Sequence, residues 1–216
     1  MQPVTDSRAI VSLPAAGAAD LLFILLHGAG GQAADMASLS SALREQYPQA
    51  ALVGLNGPLV QAAGFAWFDK ALPAALPDFN ARIRAWARHF DLSWERVALA
   101  GFAQGATLAL EAVQFEPQLA GRVLALAGTY IDLPQHAPKD VSLHLLHGIQ
   151  DEVVPYPAVV AAARALVPLG ADVTADILPG VGHQLHPLLI EKALAQLRTF
   201  LPGRLWREAM LAAPKS

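Results

Sequence analysis

Short, strongly apolar runs alternate with amphipathic stretches along most of this chain. Most of the runs are continuous rather than alternating, which is typical of strands that are covered on both faces in a parallel sheet. Seven strands are predicted in this way: Ala9–Leu13, Leu21–His27, Ala50–Gly54, Val97–Gly101, Arg122–Leu126, Val141–His147 and Asp172–Leu178. Their alternation with helical stretches favours an α/β fold with a mostly parallel, doubly wound sheet and helices on both of its faces.

Two of the stretches between the strands have a clear helical period. Their apolar residues recur at a 4-3-4 spacing, in one stretch at Phe79, Ile83, Trp86 and Phe90 and in the other at Ile190, Leu194, Leu197 and Leu201. Pro187 precedes the second set and suits the first turn of a helix. The least regular segment, Asn56–Pro77, contains several glycines and prolines and is predicted to be an aromatic-bearing loop.

Composition narrows the class of protein. The chain has 216 residues, of which 54% are hydrophobic and 15% are charged, which fits one globular domain over residues 1–216. A net charge of −3 provides no field that would favour nucleic acid. The absence of cysteine excludes disulfides and a cysteine nucleophile.

The first ten residues lack an apolar signal core, and the run Leu21–Leu26 is too short to span a bilayer. We therefore expect a cytoplasmic protein that is not inserted in a membrane.

The residues that directly follow the strands are the candidates for chemistry, because ligands bind beyond the carboxyl ends of the strands in such a sheet. After the fourth predicted strand comes Gly101-Phe102-Ala103-Gln104-Gly105, followed by a helical stretch. This is the G-x-S-x-G pattern of a nucleophile elbow with alanine at its centre. A serine at position 103 would present an exposed hydroxyl above the sheet, whereas alanine presents only a methyl group.

Two later strands are followed by residues that complete this chemistry. Asp151 comes after the sixth predicted strand and His183 after the seventh. The order nucleophile, acid, histidine is the chain order of α/β-hydrolases. His183 would take the proton of a serine and return it to the leaving group, while Asp151 would fix the tautomer and stabilise the imidazolium. Asp172 and Asp176 do not replace Asp151, because they lie within the last strand.

The other histidines have structural interpretations. The pair His186-Pro187 is typical of the start of a helix, so His186 is not the preferred base. His27 and His147 each precede a glycine at a strand end, and we expect them to brace turns by hydrogen bonds. His144 lies inside a strand and is predicted to be a packing residue.

Acyl transfer also needs two backbone N–H groups directed at the developing negative charge. Gln104 follows the nucleophile position at a helix start and should supply one of them. The glycine-rich turn Leu26-His27-Gly28-Ala29-Gly30-Gly31, at the end of the second strand, should supply the other. We assign this second donor to Ala29.

Together these motifs resemble the bacterial carboxylesterase and acyl-protein thioesterase group of serine hydrolases in the α/β-hydrolase superfamily. The resemblance runs over about Leu21–Phe200 and rests on His27-Gly28-Ala29-Gly30, Ala66-Trp67-Phe68-Asp69, the Gly101–Gly105 elbow, His147-Gly148 with Asp151 and Pro155, and Gly182-His183. It implies a hydrolase without a large lid that acts on small-molecule esters or thioesters of small to medium acyl groups, with no metal and no organic cofactor. It also implies the triad and oxyanion assignments given above. It places Trp67 and Phe68 in the acyl pocket, although packing in the core is the alternative for both.

The departure from the family pattern is Ala103, and two explanations account for it. The first is an engineered serine-to-alanine substitution. The second is a natural pseudoenzyme that binds acyl groups or a partner protein. All other parts of the machinery are present, and a lineage released from catalysis has no chemical reason to keep them, which favours the engineered change. Loss of a triad serine lowers turnover by about a million-fold, so we expect this chain to be nearly inactive.

Two segments are expected to shape the substrate pocket, Asn56–Pro77 and Thr129–Asp140. Both the acyl length and the choice between esters and thioesters stay open at this point.

Four apolar residues near the C-terminus offer either a homodimer surface or a cover for the edge of the fold: Leu205, Trp206, Met210 and Leu211.

Overall fold

The computed structural model describes residues 8–69 and 72–212, which form a seven-stranded sheet, a two-stranded hairpin and helices around them. The strands are β1 (Ile10–Ser12), β2 (Leu21–Leu26), β3 (Ala50–Leu55), β4 (Leu59–Gln61), β5 (Gly64–Ala66), β6 (Val97–Phe102), β7 (Arg122–Leu126), β8 (Ser142–Gly148) and β9 (Asp172–Leu178). The helices are α1 (Ala37–Gln46), α2 (Leu72–His89), α3 (Gln104–Phe115), α4 (Tyr156–Leu166), α5 (Pro187–Thr199) and α6 (Gly203–Ala212). Most of the segment considered for a signal peptide lies outside the described residues.

The large sheet has the strand order β1-β3-β2-β6-β7-β8-β9. Only β1, at one edge, pairs antiparallel with its neighbour, and the other pairs are parallel. All seven predicted strands are confirmed, and so is the mostly parallel α/β-hydrolase architecture with helices on both faces. The carboxyl ends of β2, β6, β7, β8 and β9 therefore meet at one edge of the sheet.

The core consists of two layers, one on each face of the sheet. Alternate side chains of β2 show the division: Leu22, Ile24 and Leu26 pack with α2, α3 and α4, whereas Phe23 and Leu25 pack with α1 and α5. All five side chains are buried, with 3% exposure at most. A strand covered on both faces needs apolar residues at every position, which is why β2 has a continuous apolar run.

The prediction of an irregular loop over Asn56–Pro77 is partly wrong. The segment contains the β4–β5 hairpin, and its last six residues already belong to α2. Pro73 suits the first turn, while Pro77 interrupts the helical hydrogen bonding at a cost of about 3 kcal/mol. Leu72 and Leu76 are buried on the same helix, and each contributes about 1.5–3 kcal/mol. Burial of the two leucines, about 3–6 kcal/mol together, therefore offsets the cost of the proline.

The two predicted helical faces extend past the ends of their helices. Phe90 follows the last residue of α2 but still stacks on Trp86, with ring centroids 6.1 Å apart. Leu201 lies beyond α5 and is 46% exposed, so the prediction that it shares one helical face with Ile190, Leu194 and Leu197 is wrong. The physical reason is Pro202, because a residue that precedes proline is disfavoured in the helical region.

The last helix, α6, contributes no buried residue. The four apolar residues considered for a homodimer surface are between 41% and 87% exposed on it. The homodimer stays a prediction. Within the two described ranges, no helix combines the length and the apolar character that crossing a membrane requires.

Candidate active site

A tight strand-to-helix turn joins β6 to α3 and carries Ala103. This residue has φ 50° and ψ −114°, a conformation that residues with a side chain occupy only under strain. A Cβ on Gly101 would overlap the backbone of Gly105, and a Cβ on Gly105 would overlap the Leu26 carbonyl. The Ala103 N–H donates to the Leu126 carbonyl over 2.9 Å. Close packing of the surrounding backbone therefore holds the turn, whichever side chain occupies position 103.

A third glycine at this turn was missed in the sequence. Gly128 follows the end of β7, and a Cβ there would lie 2.5 Å from the Ala103 carbonyl oxygen and 2.7 Å from the Ala106 Cβ. Ala127, just before it, has φ 53°. The available signal was a glycine two residues after a predicted strand, at the edge where the site lies.

Asp151 and His183 are in direct contact at the same edge of the sheet. The His183 Nδ1 donates to Asp151 Oδ2 over 2.8 Å, and Asp151 Oδ1 accepts the N–H groups of Val153 and Val154 over 3.0 and 2.8 Å. The carboxylate is buried, whereas the imidazole side chain is 21% exposed. Burial by itself would raise the pKa of Asp151, but the hydrogen bonds from Val154 and His183 outweigh it and the pKa lies below its usual value. The carboxylate stays ionised at neutral pH.

The elbow, the histidine and the glycine-rich turn come together in space. The ring centroids of Phe102 and His183 are 5.2 Å apart. A Cβ on Gly28 would lie 3.4 Å from the Ala103 Cβ and 3.2 Å from the Phe102 ring. A cavity of about 370 Å³ opens here and is lined by Gly28–Gly31, Asp35, Met36, Phe102, His183, Gln184 and Leu185. Residues from three distant parts of the sequence thus surround one concave site.

Both backbone N–H groups assigned to the oxyanion hole are available. Within the described residues, neither the Ala29 N–H nor the Gln104 N–H has a backbone acceptor, although the next amide, of Gly30, donates to the Phe65 carbonyl over 2.8 Å. Gln104 is the first residue of α3, where a helical N–H lacks an intrahelical partner. Ala29 lines the cavity beside His183.

His27 and His147 brace turns, as the sequence predicts. The His27 Nε2 accepts the Gly57 N–H over 3.0 Å, and its Nδ1 donates to the Gly28 carbonyl over 2.6 Å. The His147 Nε2 donates to the Val154 carbonyl over 2.6 Å. Burial lowers the pKa of both rings. Both therefore act as neutral hydrogen-bonding groups at neutral pH.

His186 and His144 also have the predicted structural roles. His186 caps α5, where its Nδ1 accepts the Leu188 N–H over 3.1 Å. His144 is fully buried in β8 and is hydrogen-bonded to the Thr174 hydroxyl over 2.9 Å. Among the residues that the structure describes, no three His, Asp or Glu side chains are grouped so that they could hold a metal ion.

The two aromatic residues assigned to the acyl pocket differ in their surroundings. Trp67 is 2% exposed, belongs to the core, and donates its indole N–H to the His27 carbonyl over 2.8 Å. Its contacts are those of a residue that braces the end of β2. Phe68 is half-buried against the same core. The substrate-binding role of both stays a prediction.

The Gln104 side chain makes a connection that sequence reasoning missed. Its Oε1 accepts the Trp67 N–H and its Nε2 donates to the Phe68 carbonyl, both over 2.9 Å. The segment after the β4–β5 hairpin is thereby attached to the start of α3. No local sequence signal predicts this bridge, because its partners lie 36 and 37 residues away.

The fold and this constellation define the class: an α/β-hydrolase that acts on carboxylic esters. The chain belongs to the phospholipase/carboxylesterase family, whose sequence profile matches residues 8–201.

Individual relatives agree with that class. Esterase YpfH of Escherichia coli strain K12 is 33% identical over 204 residues, covering 89% of this chain and 88% of the relative. Acyl-protein thioesterase 1 of Gibberella zeae is 32% identical over 118 residues, covering 51% of this chain and 50% of that protein. The crystal structure of esterase PE8 has a TM-score of 0.81 at 27% identity and covers 89% of this chain and 98% of that chain. A carboxylesterase from Mesorhizobium loti shares the fold, with a TM-score of 0.74 at 23% identity and coverage of 84% and 90%.

Proposed function

We propose that this site hydrolyses esters or thioesters of small to medium acyl groups when a serine occupies position 103, with Asp151 as the acid and His183 as the base. The observation that carries the proposal is the 2.8 Å hydrogen bond between His183 Nδ1 and Asp151 Oδ2, next to the strained elbow. Ala103 lacks the nucleophilic oxygen, so the chain with alanine binds substrate and turns it over about a million-fold more slowly.

In a chain with serine at position 103, the hydroxyl oxygen attacks the carbonyl carbon of the substrate while His183 Nε2 takes its proton. The carbon–oxygen or carbon–sulfur bond to the leaving group breaks, and the imidazolium returns the proton to that group. Water then attacks the acyl-enzyme and loses a proton to His183. The bond between the acyl carbon and the serine oxygen breaks as the imidazolium returns a proton to that oxygen, which releases the carboxylic acid and regenerates the serine. Asp151 stabilises the imidazolium in both halves of the reaction, because it is already ionised and bonded to Nδ1.

The N–H groups of Ala29 and Gln104 stabilise the oxyanion in this proposal. Neither N–H has a backbone acceptor in the part of the chain that the structure describes, and the turn that carries Ala29 lies against the elbow at Gly28. A cavity of about 370 Å³ supports small-molecule substrates, since it is near the lower end of the usual range for such sites. Neither Trp67 nor Phe68 lines this cavity, and Phe68 is the more exposed of the two.

We infer that Ala103 replaces a serine by an engineered change. The support is the completeness of the remaining site: the acid–base hydrogen bond, the free N–H groups and the glycine-dependent elbow are all in place. A strained φ of 50° at an alanine costs about 1–3 kcal/mol. This conformation would direct the hydroxyl of a serine at position 103 out above the sheet, and that role would explain why the strain is present.

The test is Ala103→Ser. We expect the variant to hydrolyse p-nitrophenyl acetate and to react with a fluorophosphonate probe, because both need an activated serine. Ala18→Ser places the same hydroxyl at an exposed position before β2, at the opposite end of that strand from the glycine-rich turn, and is the matched control, which should do neither. A folded Ala103→Ser protein that is inert to both reagents would refute the proposal. A chain-length series of esters and thioesters on the active variant then defines the acyl preference.

A non-catalytic binding protein is the second candidate, and Ala103 itself is the observation in its favour. It predicts that the chain binds an acyl ester in a calorimetric titration while Ala103→Ser stays inactive. An unaltered gene that encodes alanine at this codon would also support it and would contradict the engineered change.

A further inference from the structure

His147 is a buried histidine within reach of the proposed catalytic carboxylate, and the mechanism above gives it no part. The ring is fully buried, and its Nε2 lies 2.6 Å from the Val154 carbonyl and 3.3 Å from Asp151 Oδ2. A carbonyl oxygen can only accept, so the proton is on Nε2. The opposite nitrogen, Nδ1, is buried without a hydrogen-bond partner in the described part of the chain. The ring thus directs its single N–H at the turn that carries Asp151.

That N–H closes a short network around the carboxylate. The N–H groups of Val153 and Val154 donate to Asp151 Oδ1, and the His147 Nε2–H donates to the Val154 carbonyl. Rotation of the carboxyl group, or opening of the turn, would break several of these bonds at once. The other oxygen, Oδ2, is consequently left pointing at His183 Nδ1, 2.8 Å away.

The end of β8 also ties this network to the loop that carries the base. A Cβ on Gly148 would overlap the Val181 carbonyl, and the Gln150 N–H donates to the same carbonyl over 3.0 Å. The Gln150 side chain accepts the Gly180 N–H over 2.7 Å. His147 lies one residue before Gly148 on this strand, so a rigid element sets the positions of both acid and base.

We propose that His147 is a positioning residue for the triad, whose neutral ring holds the turn 151–154 and keeps Asp151 Oδ2 directed at His183. Its effect on the rate rests on the proposed function, whereas its effect on the Asp151–His183 contact does not. Burial lowers the pKa of His147, although the Val154 hydrogen bond and the Asp151 charge act in the opposite direction. A neutral ring leaves His183 as the single cation that the carboxylate stabilises during turnover.

The first experiment uses the full chain with Ala103 in place. The Nδ1 proton of His183, shared with a buried carboxylate, should give a strongly downfield line in the proton NMR spectrum. His147→Gln keeps an N–H donor near the Nε2 position and should retain the line. His147→Met fills the space without a donor and should lose it. His144→Met makes the same change at another fully buried histidine of β8, and it should retain the line.

Persistence of the line in His147→Met, or its loss in His147→Gln, would overturn the proposal. Circular dichroism establishes that each variant is folded. If His147→Met does not fold, His147→Asn replaces it, because the shorter amide reaches the Nδ1 position and leaves the Val154 carbonyl unbonded. The expected result for His147→Asn is the same loss of the line, and its retention would overturn the proposal equally.

The second experiment repeats the substitutions in the Ala103→Ser protein. We expect His147→Met to lower kcat by about 10- to 100-fold, as misplacement of a catalytic group does. KM should change little, because the His147 ring is fully buried, and His147→Gln should restore most of kcat. An unchanged kcat in His147→Met would refute the effect on catalysis. An inactive Ala103→Ser parent that still shows the NMR pattern would refute the proposed function and leave the positioning role supported.

Discussion

The free energy of unfolding should fall between pH 7 and pH 5, and one buried side chain, His144, should account for a separable share of that fall. The ring projects from β8, is fully buried and lies edge-on to Phe200, with ring centroids 5.0 Å apart. Its Nδ1 bonds to the Thr174 hydroxyl, and its Nε2 has no partner among the described residues. Burial lowers the pKa of His144 to about 3, and the charge of Arg122 acts in the same direction.

The sign and the size of the change in the free energy of unfolding follow from the pKa of His144. In the unfolded chain His144 becomes protonated near pH 6.5, whereas in the folded chain it becomes protonated only near pH 3. The stabilisation is therefore fully present above pH 6.5 and is lost progressively as the pH falls towards 3. At about 1.4 kcal/mol per pKa unit, the whole difference is about 5 kcal/mol, of which about 2 kcal/mol is lost between pH 7 and pH 5.

Urea unfolding at pH 7 and at pH 5 measures this loss. We expect the parent to lose about 2 kcal/mol more than His144→Gln, whose side chain does not titrate. The buried rings of His27 and His147 contribute to both proteins and cancel. His136→Gln, the same substitution at an exposed position, is the matched control and should behave as the parent. If parent and His144→Gln lose the same stability to within about 0.5 kcal/mol, the reasoning is wrong.

Two further predictions concern the elbow and the acid. Gly105→Ala should lower the free energy of unfolding by about 3 kcal/mol, at the upper end of the usual cost of overpacking, because its Cβ would overlap the Leu26 carbonyl. Gly182→Ala is the control, because its Cβ meets nothing closer than 3.5 Å, and equal melting temperatures of the two variants would contradict the prediction. In the Ala103→Ser protein, Asp151→Asn should lower kcat about 10⁴-fold in a p-nitrophenyl ester assay, because the tautomer of the base is no longer fixed, and a loss below about tenfold would show that Asp151 is not the acid.

Local patterns predicted the parts of this protein whose structure depends on their own residues. Continuous apolar runs predicted strands such as β2, since a strand covered on both faces has no polar position. The order of the elbow, Asp151 and His183 predicted a shared site, because parallel strands present their carboxyl ends at one edge. The structure confirms the hydrogen bond between Asp151 and His183, and the triad roles remain to be tested by the Ala103→Ser variant.

Contacts between distant segments determined the rest. The β4–β5 hairpin pairs with the glycine-rich turn through Phe65, which exchanges hydrogen bonds with Gly30 and Gly31, and no pattern within the hairpin specifies that partner. α2 continues through Pro77 because the sheet offers a surface that buries its first turns. The direction of the His147 N–H likewise depends on where Val154 lies in the folded chain. Hydrophobic periodicity is a property of neighbouring residues, whereas packing and hydrogen-bond partners are properties of the folded chain. The sequence alone therefore determined the helices and strands, and the tertiary structure decided which of them contact one another.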